Sequence, residues 1–163
     1  MEITTESLLL KRTMQDDPEL SSLIEDEETA SGLSEARVFP GMPRSILFRI
    51  EKDNSLIGEA GYKNIKWINR KAELNIVIKK DFRNKGYGRE VLTEMINYGF
   101  KILNFHRLEA EVYEYNKASI TLVENLGFAV EGKLREAKYN NGKYHDIIRY
   151  GLLKNEWQKV QKK

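Results

Sequence analysis

The chain has 163 residues, of which 40% are hydrophobic and 32% charged, a composition that suits one folded domain with a buried core. Its 27 basic and 25 acidic side chains give a net charge of +2, which is too balanced for a general nucleic-acid-binding protein. It has no cysteine and 2 histidines, which excludes disulfides, thiol nucleophiles and metal sites built from several Cys or His side chains.

Membrane and export signals are missing from the sequence. No apolar run approaches the roughly 18 residues that span a bilayer, and the first residues lack the basic and apolar regions of a signal peptide. We therefore expect a cytoplasmic protein, folded as a single domain over residues 1–163, that binds neither a membrane nor nucleic acid.

The N-terminal third predicts one strand followed by two helices. An apolar run predicts a strand over 7–13, and Asp17-Pro18 supply an N-cap and a first-turn proline for a helix that ends near Thr29. A weaker helical pattern covers 33–39. The acidic run 25–28 is expected to be a solvated charged face, with attraction of a cationic amine as the alternative.

Alternation of apolar and polar residues then predicts three strands, over 45–50, 55–65 and 71–80. Short turns join them, which indicates an antiparallel meander. On the third strand, three apolar side chains share one face: Leu74, Ile76 and Ile78.

The second half predicts two helices and three more strands. The strongest helix covers 86–103, with an apolar stripe formed by Val91, Leu92, Met95, Ile96, Gly99, Ile102 and Leu103. A strand over 107–113 and a short helix over 119–125 follow, and Gly127 is expected to end that helix in the left-handed conformation. Asn141-Gly142 is a strong hairpin signal between strands 129–139 and 143–153. The fold class is therefore α+β, with one strand–helix–strand unit near 71–113.

The segment 79–89 lies between a predicted strand and the strongest helix, and it carries two glycines at the start of that helix. Gly86 and Gly88 leave backbone N–H groups uncovered, which together with the helix dipole predicts a cradle for a phosphate or pyrophosphate. Arg83, Lys85 and Arg89 add positive charge that suits the same ligand.

Three phosphate-binding motifs compete for this segment. A P-loop requires lysine after its last glycine, whereas Arg89 follows Gly88. A dinucleotide fingerprint requires a third glycine where Val91 stands, and a doubly wound sheet where the sequence predicts a meander. The third motif, R-x-x-G-x-G, is matched by Arg83, Gly86 and Gly88.

With this motif the sequence resembles the GNAT superfamily of acyl-CoA-dependent N-acetyltransferases. The resemblance extends over residues 7–153 and is nearest to the ribosomal-protein N-terminal acetyltransferase branch, with some likeness to bacterial spermidine acetyltransferases. It is carried further by three downstream segments, Asn116-Lys117-Ala118-Ser119, Glu124-Asn125-Leu126-Gly127-Phe128 and Val130-Glu131-Gly132-Lys133-Leu134-Arg135. It implies a mixed, mostly antiparallel sheet of six or seven strands, flanked by about four helices.

The resemblance also implies acetyl-CoA as co-substrate, an amine acceptor and direct transfer in a ternary complex without a metal. The loop that would bind the pyrophosphate consists of Arg83, Asn84, Lys85, Gly86, Tyr87 and Gly88. A bulged strand would pair its main chain with the pantetheine arm and stabilise the thioester oxyanion, and it maps to Ile76, Val77 and Ile78. Asn116 matches the asparagine that binds the cofactor arm. Dimers are frequent in similar proteins, so a homodimer is expected.

Two residues are candidates for the chemistry. Glu73 is the leading candidate for the base that takes the amine proton, and Ser119 for the donor that protonates the leaving thiolate and also contacts the cofactor. Many GNAT enzymes use a tyrosine as that donor, at the position of Val123 here. The structural alternatives are a surface ion pair for Glu73, a helix N-cap for Ser119 and a plain turn residue for Asn116.

The acceptor stays open at this stage among peptide N-termini, polyamines, amino acids and other small amines. The alternative function is a CoA-binding sensor or interaction module that has lost turnover, because the family tyrosine is absent.

Overall fold

The computed structural model describes residues 2–4, 9–11 and 41–161, and the chain divides into two compact units, Met1–Pro40 and Gly41–Lys163. In the first unit, β1 (Glu2–Thr4) pairs antiparallel with β2 (Leu9–Lys11). β2 confirms the centre of the predicted first strand, whereas β1 was not predicted. The helices expected near 17–29 and 33–39, and the acidic run 25–28, lie outside the described residues.

The second unit contains a six-stranded mixed sheet in the order β3-β4-β5-β6-β8-β7. The strands are β3 (Ile46–Lys52), β4 (Ser55–Lys66), β5 (Lys71–Ile78), β6 (Arg107–Tyr113), β7 (Ala129–Asn140) and β8 (Lys143–Leu153). The described helices are α1 (Tyr87–Lys101), α2 (Lys117–Asn125) and α3 (Lys154–Val160), with a turn of 3-10 helix at Lys80–Phe82. Every neighbouring pair is antiparallel except β5 and β6, which are parallel and joined through α1. The expected α+β class and its central strand–helix–strand unit are confirmed.

Two of the three hairpin turns in the described sheet have the backbone conformation that their sequences predict. Asp53 and Asn54 have φ of 49° and 60°, and Asn141 and Gly142 have φ of 51° and 77°. Two successive residues with positive φ form the turn whose twist matches the flanking strands. This explains why short Asp, Asn and Gly residues stand there.

The three described helices contribute buried side chains to one core on one face of the sheet. Strand side chains alternate, so the core side of β5 carries Ala72 and Leu74, which are 1% and 7% exposed. The core includes Ala60, Tyr62, Leu92, Ile96, Phe100, Leu108, Val123, Leu152 and Trp157. The opposite face of β5 and β6 therefore carries their polar side chains, among them Glu73, Glu109 and Glu111.

The apolar stripe of α1 differs from its prediction near the C-terminal end. Phe100 is 2% exposed and belongs to the core, whereas Ile102, which was expected there, is 66% exposed. Ile102 still donates its N–H to the Tyr98 carbonyl at 2.9 Å, so it keeps the helical conformation. It lies about 120° around the helix from Ile96, whereas Phe100 lies about 40° away, so only Phe100 faces the core. Phe100 continues the buried row of Leu92 and Ile96 at intervals of four residues.

We expect Phe100→Ala to lower the free energy of unfolding by about 3–5 kcal/mol, because the substitution leaves a cavity in the core. Ile102→Ala, two residues away, should change it by less than about 0.5 kcal/mol. Urea denaturation of both variants measures the difference. Equal losses would contradict the position of α1 on the sheet.

α3 was not predicted from the sequence. Its Trp157 is 4% exposed and donates from Nε1 to Oδ1 of Asn97 on α1 at 3.0 Å. The helix begins where Glu156 accepts from the N–H of Leu153 at 2.8 Å. None of the helices in the described part of the chain is long and apolar enough to cross a membrane.

Candidate active site

A gap in the sheet opens between β5 and β6. The two parallel strands pair only from Lys71 opposite Arg107 to Glu73 opposite Glu109, although both continue beyond that point. β5 stays paired with β4 up to Ile78, and β6 stays paired with β8 up to Tyr113. We call the space between the two diverging strands the wedge.

The main chain of β5 offers hydrogen-bonding groups to this wedge. Lys79 donates its N–H to the Ile57 carbonyl at 2.8 Å, so in this register the main chain of Val77 also faces β4. The N–H and C=O groups of Ile76 and Ile78 alternate with it and face the wedge. The carbonyl of Ile78 accepts from Arg83 Nε at 2.8 Å, which joins the strand end to the following loop.

Two expectations for this strand are corrected. Pairing between β4 and β5 is unbroken from Gly58 opposite Ile78 to Lys63 opposite Glu73, so no bulge interrupts 76–78. The irregularity lies on β4, after Lys63, where Asn64 has φ of 50°. Val77, expected to pair with a ligand through its main chain, faces β4 instead. The strand is opened to a ligand by its divergence from β6 rather than by a bulge.

The loop before α1 presents a series of unpaired main-chain N–H groups. Asn84 and Gly86 have φ of 58° and 85°, which turns the chain sharply twice before the helix begins at Tyr87. Within the described part of the chain, the N–H groups of residues 84–88 have no acceptor, whereas the next two, at 89 and 90, donate to the Gly86 carbonyl. Such a concave run of N–H groups at the positive end of a helix dipole binds anions. This arrangement has the features expected of the predicted phosphate cradle, and the binding of a phosphate there stays a prediction. We call the N–H groups of residues 84–88 the cradle.

A side chain would have free space at Gly86, in the middle of the cradle, but would be in contact with other residues at Gly88. A Cβ placed on Gly86 would meet nothing within 4 Å, whereas one on Gly88 would lie 3.3 Å from Cδ2 of Leu122 on α2. The same point lies 3.8 Å from Cδ1 of Ile78. Gly88 thus lets the start of α1 approach both β5 and α2, which brings the cradle, the wedge and α2 together.

The first turn of α2 holds the next two candidate residues. The helix begins at Lys117, two residues earlier than predicted, and Asn116 is its N-cap, with Oδ1 accepting from the Ser119 N–H at 3.2 Å. The interpretation of Ser119 as N-cap is therefore wrong, and its hydroxyl is not used for capping. Ser119 precedes Leu122 by one turn, so it lies on the side of α2 that faces Gly88 and Ile78.

Val123 stands where the sequence resemblance implied a tyrosine as proton donor. Its side chain is 6% exposed and packs in the core. Its carbonyl accepts from the Phe128 N–H at 3.1 Å, beside Gly127 with φ of 89°, which closes the helix as predicted. Val123 therefore cannot donate a proton at the wedge, which leaves Ser119 as the candidate on this helix.

Glu73 lies at the last paired position before the wedge, on the face opposite the helices. Its Oε2 accepts from Asn64 Nδ2 at 2.8 Å, and no cation pairs with it among the described residues. The structural alternative for Glu73, a surface ion pair with a neighbour such as Lys71 or Arg70, is not formed among the described residues, and Lys71 binds Glu109 at 3.0 Å instead. The bulge on β4 explains the Asn64 contact, since it turns that side chain towards β5.

Other carboxylates on this face are engaged with cations. Arg107 binds both Glu109, at 2.8 Å, and Glu131, and Arg149 binds Glu111 at 2.9 Å. Hydrogen bonds from Arg107 lower the pKa of Glu131, in spite of partial burial. Burial alone would raise the pKa of Glu109, but the hydrogen bonds from Arg107 and Lys71 outweigh it and lower that pKa. Among the described residues these carboxylates are paired with cations, whereas Glu73 is not. Glu59 lies on the same face but one strand further from the wedge, so Glu73 is the carboxylate better placed to interact with an amine there.

One polar residue near the wedge was missed by the sequence analysis. Asn75 lies on β5 two residues after Glu73, and its Nδ2 is buried without a hydrogen-bond partner in the described part of the chain. No sequence pattern marks it, because its isolation depends on where β6 leaves β5.

The chain was compared with known proteins. Residues 9–148 match the family profile described as "Acetyltransferase (GNAT) domain". The Bacillus subtilis protein YdaF, provisionally named a ribosomal N-acetyltransferase, is 38% identical over 106 residues, which are 65% of this chain and 58% of that protein. The spermidine N(1)-acetyltransferase of Vibrio cholerae is 33% identical over 107 residues, 66% of this chain and 62% of that protein.

Solved structures agree with these matches. A crystal structure of mutant forms of the spermidine/spermine N-acetyltransferase SpeG from Vibrio cholerae has a TM-score of 0.70 and 30% identity, and covers 74% of this chain and 73% of that one. A dodecameric structure of spermidine N-acetyltransferase from the same organism has a TM-score of 0.68 and 32% identity, and covers 70% of this chain and 67% of that one. The chain spans about three fifths of the length of the curated relatives it matches.

Proposed function

Because the chain belongs to the GNAT acetyltransferase family, we propose that it is an acetyl-CoA-dependent N-acetyltransferase, which transfers the acetyl group to a primary amine by direct attack in a ternary complex. The observation that carries the proposal is the run of five main-chain N–H groups at residues 84–88, without acceptors in the described part of the chain, beside a strand edge that faces the wedge.

We assign the cofactor to the loop N–H groups and to the edge of β5 because of the hydrogen-bonding groups that they offer. The pyrophosphate of acetyl-CoA accepts from the loop N–H groups, and the charges of Arg83 and Arg89 add attraction. The pantetheine arm carries two amide groups, which pair with the main chain of Ile76 and Ile78 as a further strand would. An N–H group on that edge then donates to the thioester oxygen as negative charge develops there.

The reacting groups follow from this position of the cofactor. The acceptor amine reaches the thioester from the face of β5 that carries Glu73, and Glu73 takes its proton directly or through water. The departing thiolate is protonated by Ser119, on the side of α2 that faces Gly88. Asn116 caps that helix with Oδ1, which leaves its Nδ2 to donate to the cofactor arm.

The reaction is tested by incubating the protein with acetyl-CoA and a panel of amines while following free thiol. The panel contains peptide N-termini, amino acids, polyamines and aminoglycosides. Thiol release that depends on one class of amine supports the proposal.

A second candidate, a CoA-binding module without turnover, is favoured by one observation, the burial of Val123 where many relatives have tyrosine. Binding of acetyl-CoA without thiol release for any amine in the panel would support it.

Glu73→Gln should lower kcat by about tenfold and lose rate most on the acidic side of the pH profile. A carboxylate is a far weaker base than an amine, so its contribution should lie below the range usual for general bases. Glu59→Gln is the matched control, because Glu59 lies on the same face of β4, one strand away. Equal effects of the two substitutions on kcat would show that Glu73 is not the base that takes the amine proton.

We also propose a homodimer. Light scattering tests it, since one chain has a mass of 19.0 kDa. A mass of one chain would refute any assembly, and a mass of twelve would match the dodecamer described for the Vibrio cholerae spermidine N-acetyltransferase instead.

A further inference from the structure

Asn75 carries a hydrogen-bond donor that the protein itself does not use. Its Nδ2 is closed to solvent and has no partner in the described part of the chain, where it is the one side-chain atom in this condition. A buried donor without an acceptor lowers stability, so native proteins keep such groups chiefly where a ligand or water supplies the acceptor.

The neighbours of Asn75 explain why no side chain satisfies it. Its partner across β4 is Gly61, which has no side chain, and a Cβ there would lie 2.2 Å from the Ile46 carbonyl oxygen. On the other side, β6 has already left β5 after Glu109. The next carboxylate on β5, Glu73, accepts from Asn64 instead.

The direction of the side chain separates Asn75 from the cofactor arm. Leu74 and Ile76 belong to the packed face, so Asn75 projects from the opposite face, as Glu73 does. The cofactor arm is assigned to the edge of β5, in the plane of the sheet. Asn75 therefore lies on the acceptor side, with its Cα about 6.6 Å from that of Glu73 along the strand.

We infer that Asn75 binds the amine acceptor, and that the acceptor carries a carbonyl oxygen on the carbon next to its amine-bearing carbon, an inference that rests on the proposed function. An amide NH2 group can only donate, so its partner must carry a lone pair that the reaction does not use, and a carbonyl oxygen meets that requirement. With the amine at Glu73, a carbonyl oxygen three bonds from the amine nitrogen would lie on the side of Asn75, the next residue on the same face of β5.

This requirement selects among the acceptor classes. Amino-acid amides and peptide N-termini have a carbonyl oxygen at that position. Polyamines carry further ammonium groups, which are donors and cannot satisfy the amide of Asn75. Asn75 is therefore an acceptor-binding residue that favours α-amino-acyl groups over polyamines.

The test compares two acceptors of similar shape, alaninamide and sec-butylamine, of which only alaninamide has the carbonyl. Asn75→Leu should lower kcat/KM for alaninamide about tenfold more than kcat/KM for sec-butylamine or spermidine, because it removes one hydrogen bond that only alaninamide makes. Asn75→Asp, which replaces the donor by an acceptor, should also lower kcat/KM for alaninamide. Comparing each variant with the wild type at one pH cancels the difference in basicity between the amines.

Two further measurements keep the inference separate from the proposed function. In isotope-labelled protein saturated with CoA, alaninamide should shift the side-chain NH2 resonances of Asn75, and sec-butylamine should not. This readout needs no turnover, so it decides the role of Asn75 even if thiol release fails. Asn75→Leu should also raise the unfolding midpoint, since an unpaired buried donor is replaced by an apolar group.

Three results would overturn the inference. One is an equal loss of kcat/KM for all amines in Asn75→Leu, which would indicate that the Asn75 amide donates to the thioester. Another is a weakened affinity of Asn75→Leu for acetyl-CoA, which would indicate that the amide donates to the cofactor arm. The third is a lower unfolding midpoint, which would show a structural role.

Discussion

Gly86→Asp should raise the dissociation constant for acetyl-CoA at least about 100-fold, which corresponds to about 2.8 kcal/mol. The space above Gly86 is open, so the new carboxylate fits without collision. It would accept hydrogen bonds from the loop N–H groups and place negative charge where the pyrophosphate binds. Isothermal titration with acetyl-CoA measures the loss.

Gly142→Asp is the matched control for this substitution. Gly142 has φ of 77° against 85° for Gly86, and a Cβ on either residue would meet nothing within 4 Å. Both variants therefore carry the same backbone strain of about 1–2 kcal/mol, but Gly142 lies in the turn between β7 and β8. If the two variants bound acetyl-CoA equally well, the cradle would not be the binding site.

Ser119→Ala should lower kcat by about 10²-fold, a much larger effect than its effect on the affinity for acetyl-CoA, to which the hydroxyl contributes one contact. Its hydroxyl would otherwise protonate the thiolate as the thioester bond breaks, and loss of a general acid has an effect of this size. Steady-state kinetics at saturating acetyl-CoA measures kcat, and titration measures the affinity separately.

The capping residue provides the control for Ser119. Because Asn116 accepts from the Ser119 N–H, the backbone of Ser119 keeps that bond when its side chain is removed. Ser119→Ala should therefore leave the free energy of unfolding within about 0.5 kcal/mol of the wild type. Asn116→Ala should lower it by about 1 kcal/mol. An unchanged kcat in Ser119→Ala would exclude the hydroxyl as the proton donor.

Local patterns predicted most elements of the sheet unit. The strand 107–113 was predicted with the bounds that β6 has, because its alternating apolar residues all face the core. The turn at Asn141-Gly142 and the left-handed Gly127 were predicted because short-range backbone chemistry alone determines them. The N–H cradle was predicted for the same reason, since two glycines beside a helix start are a local feature.

Features that depend on distant segments could not be predicted. The burial of Phe100 and the exposure of Ile102 depend on which side of α1 faces the sheet. α3 is short and gains its stability from Trp157 packing against α1, which no local pattern reveals. Within the described residues, the unpaired amide of Asn75 follows from the divergence of β5 and β6, and Glu73 has no cation while Lys71 binds Glu109. Both depend on tertiary structure.

The structure helps to interpret the valine that stands at position 123 instead of the expected tyrosine. From the sequence, the missing tyrosine left open whether turnover had been lost. The structure places Val123 in the core and the unused hydroxyl of Ser119 one turn earlier on the side that faces Gly88. Whether turnover depends on Ser119 can therefore be tested by removing its hydroxyl group and measuring kcat.

The central claim is that the main-chain N–H groups of residues 84–88 bind the pyrophosphate of acetyl-CoA. The most direct test is to titrate isotope-labelled protein with CoA and to follow the backbone amide resonances. We expect the largest shifts at residues 84–88, accompanied by shifts at Ile76 and Ile78 on the wedge. No binding, or binding whose shifts lie elsewhere in the chain, would contradict the account.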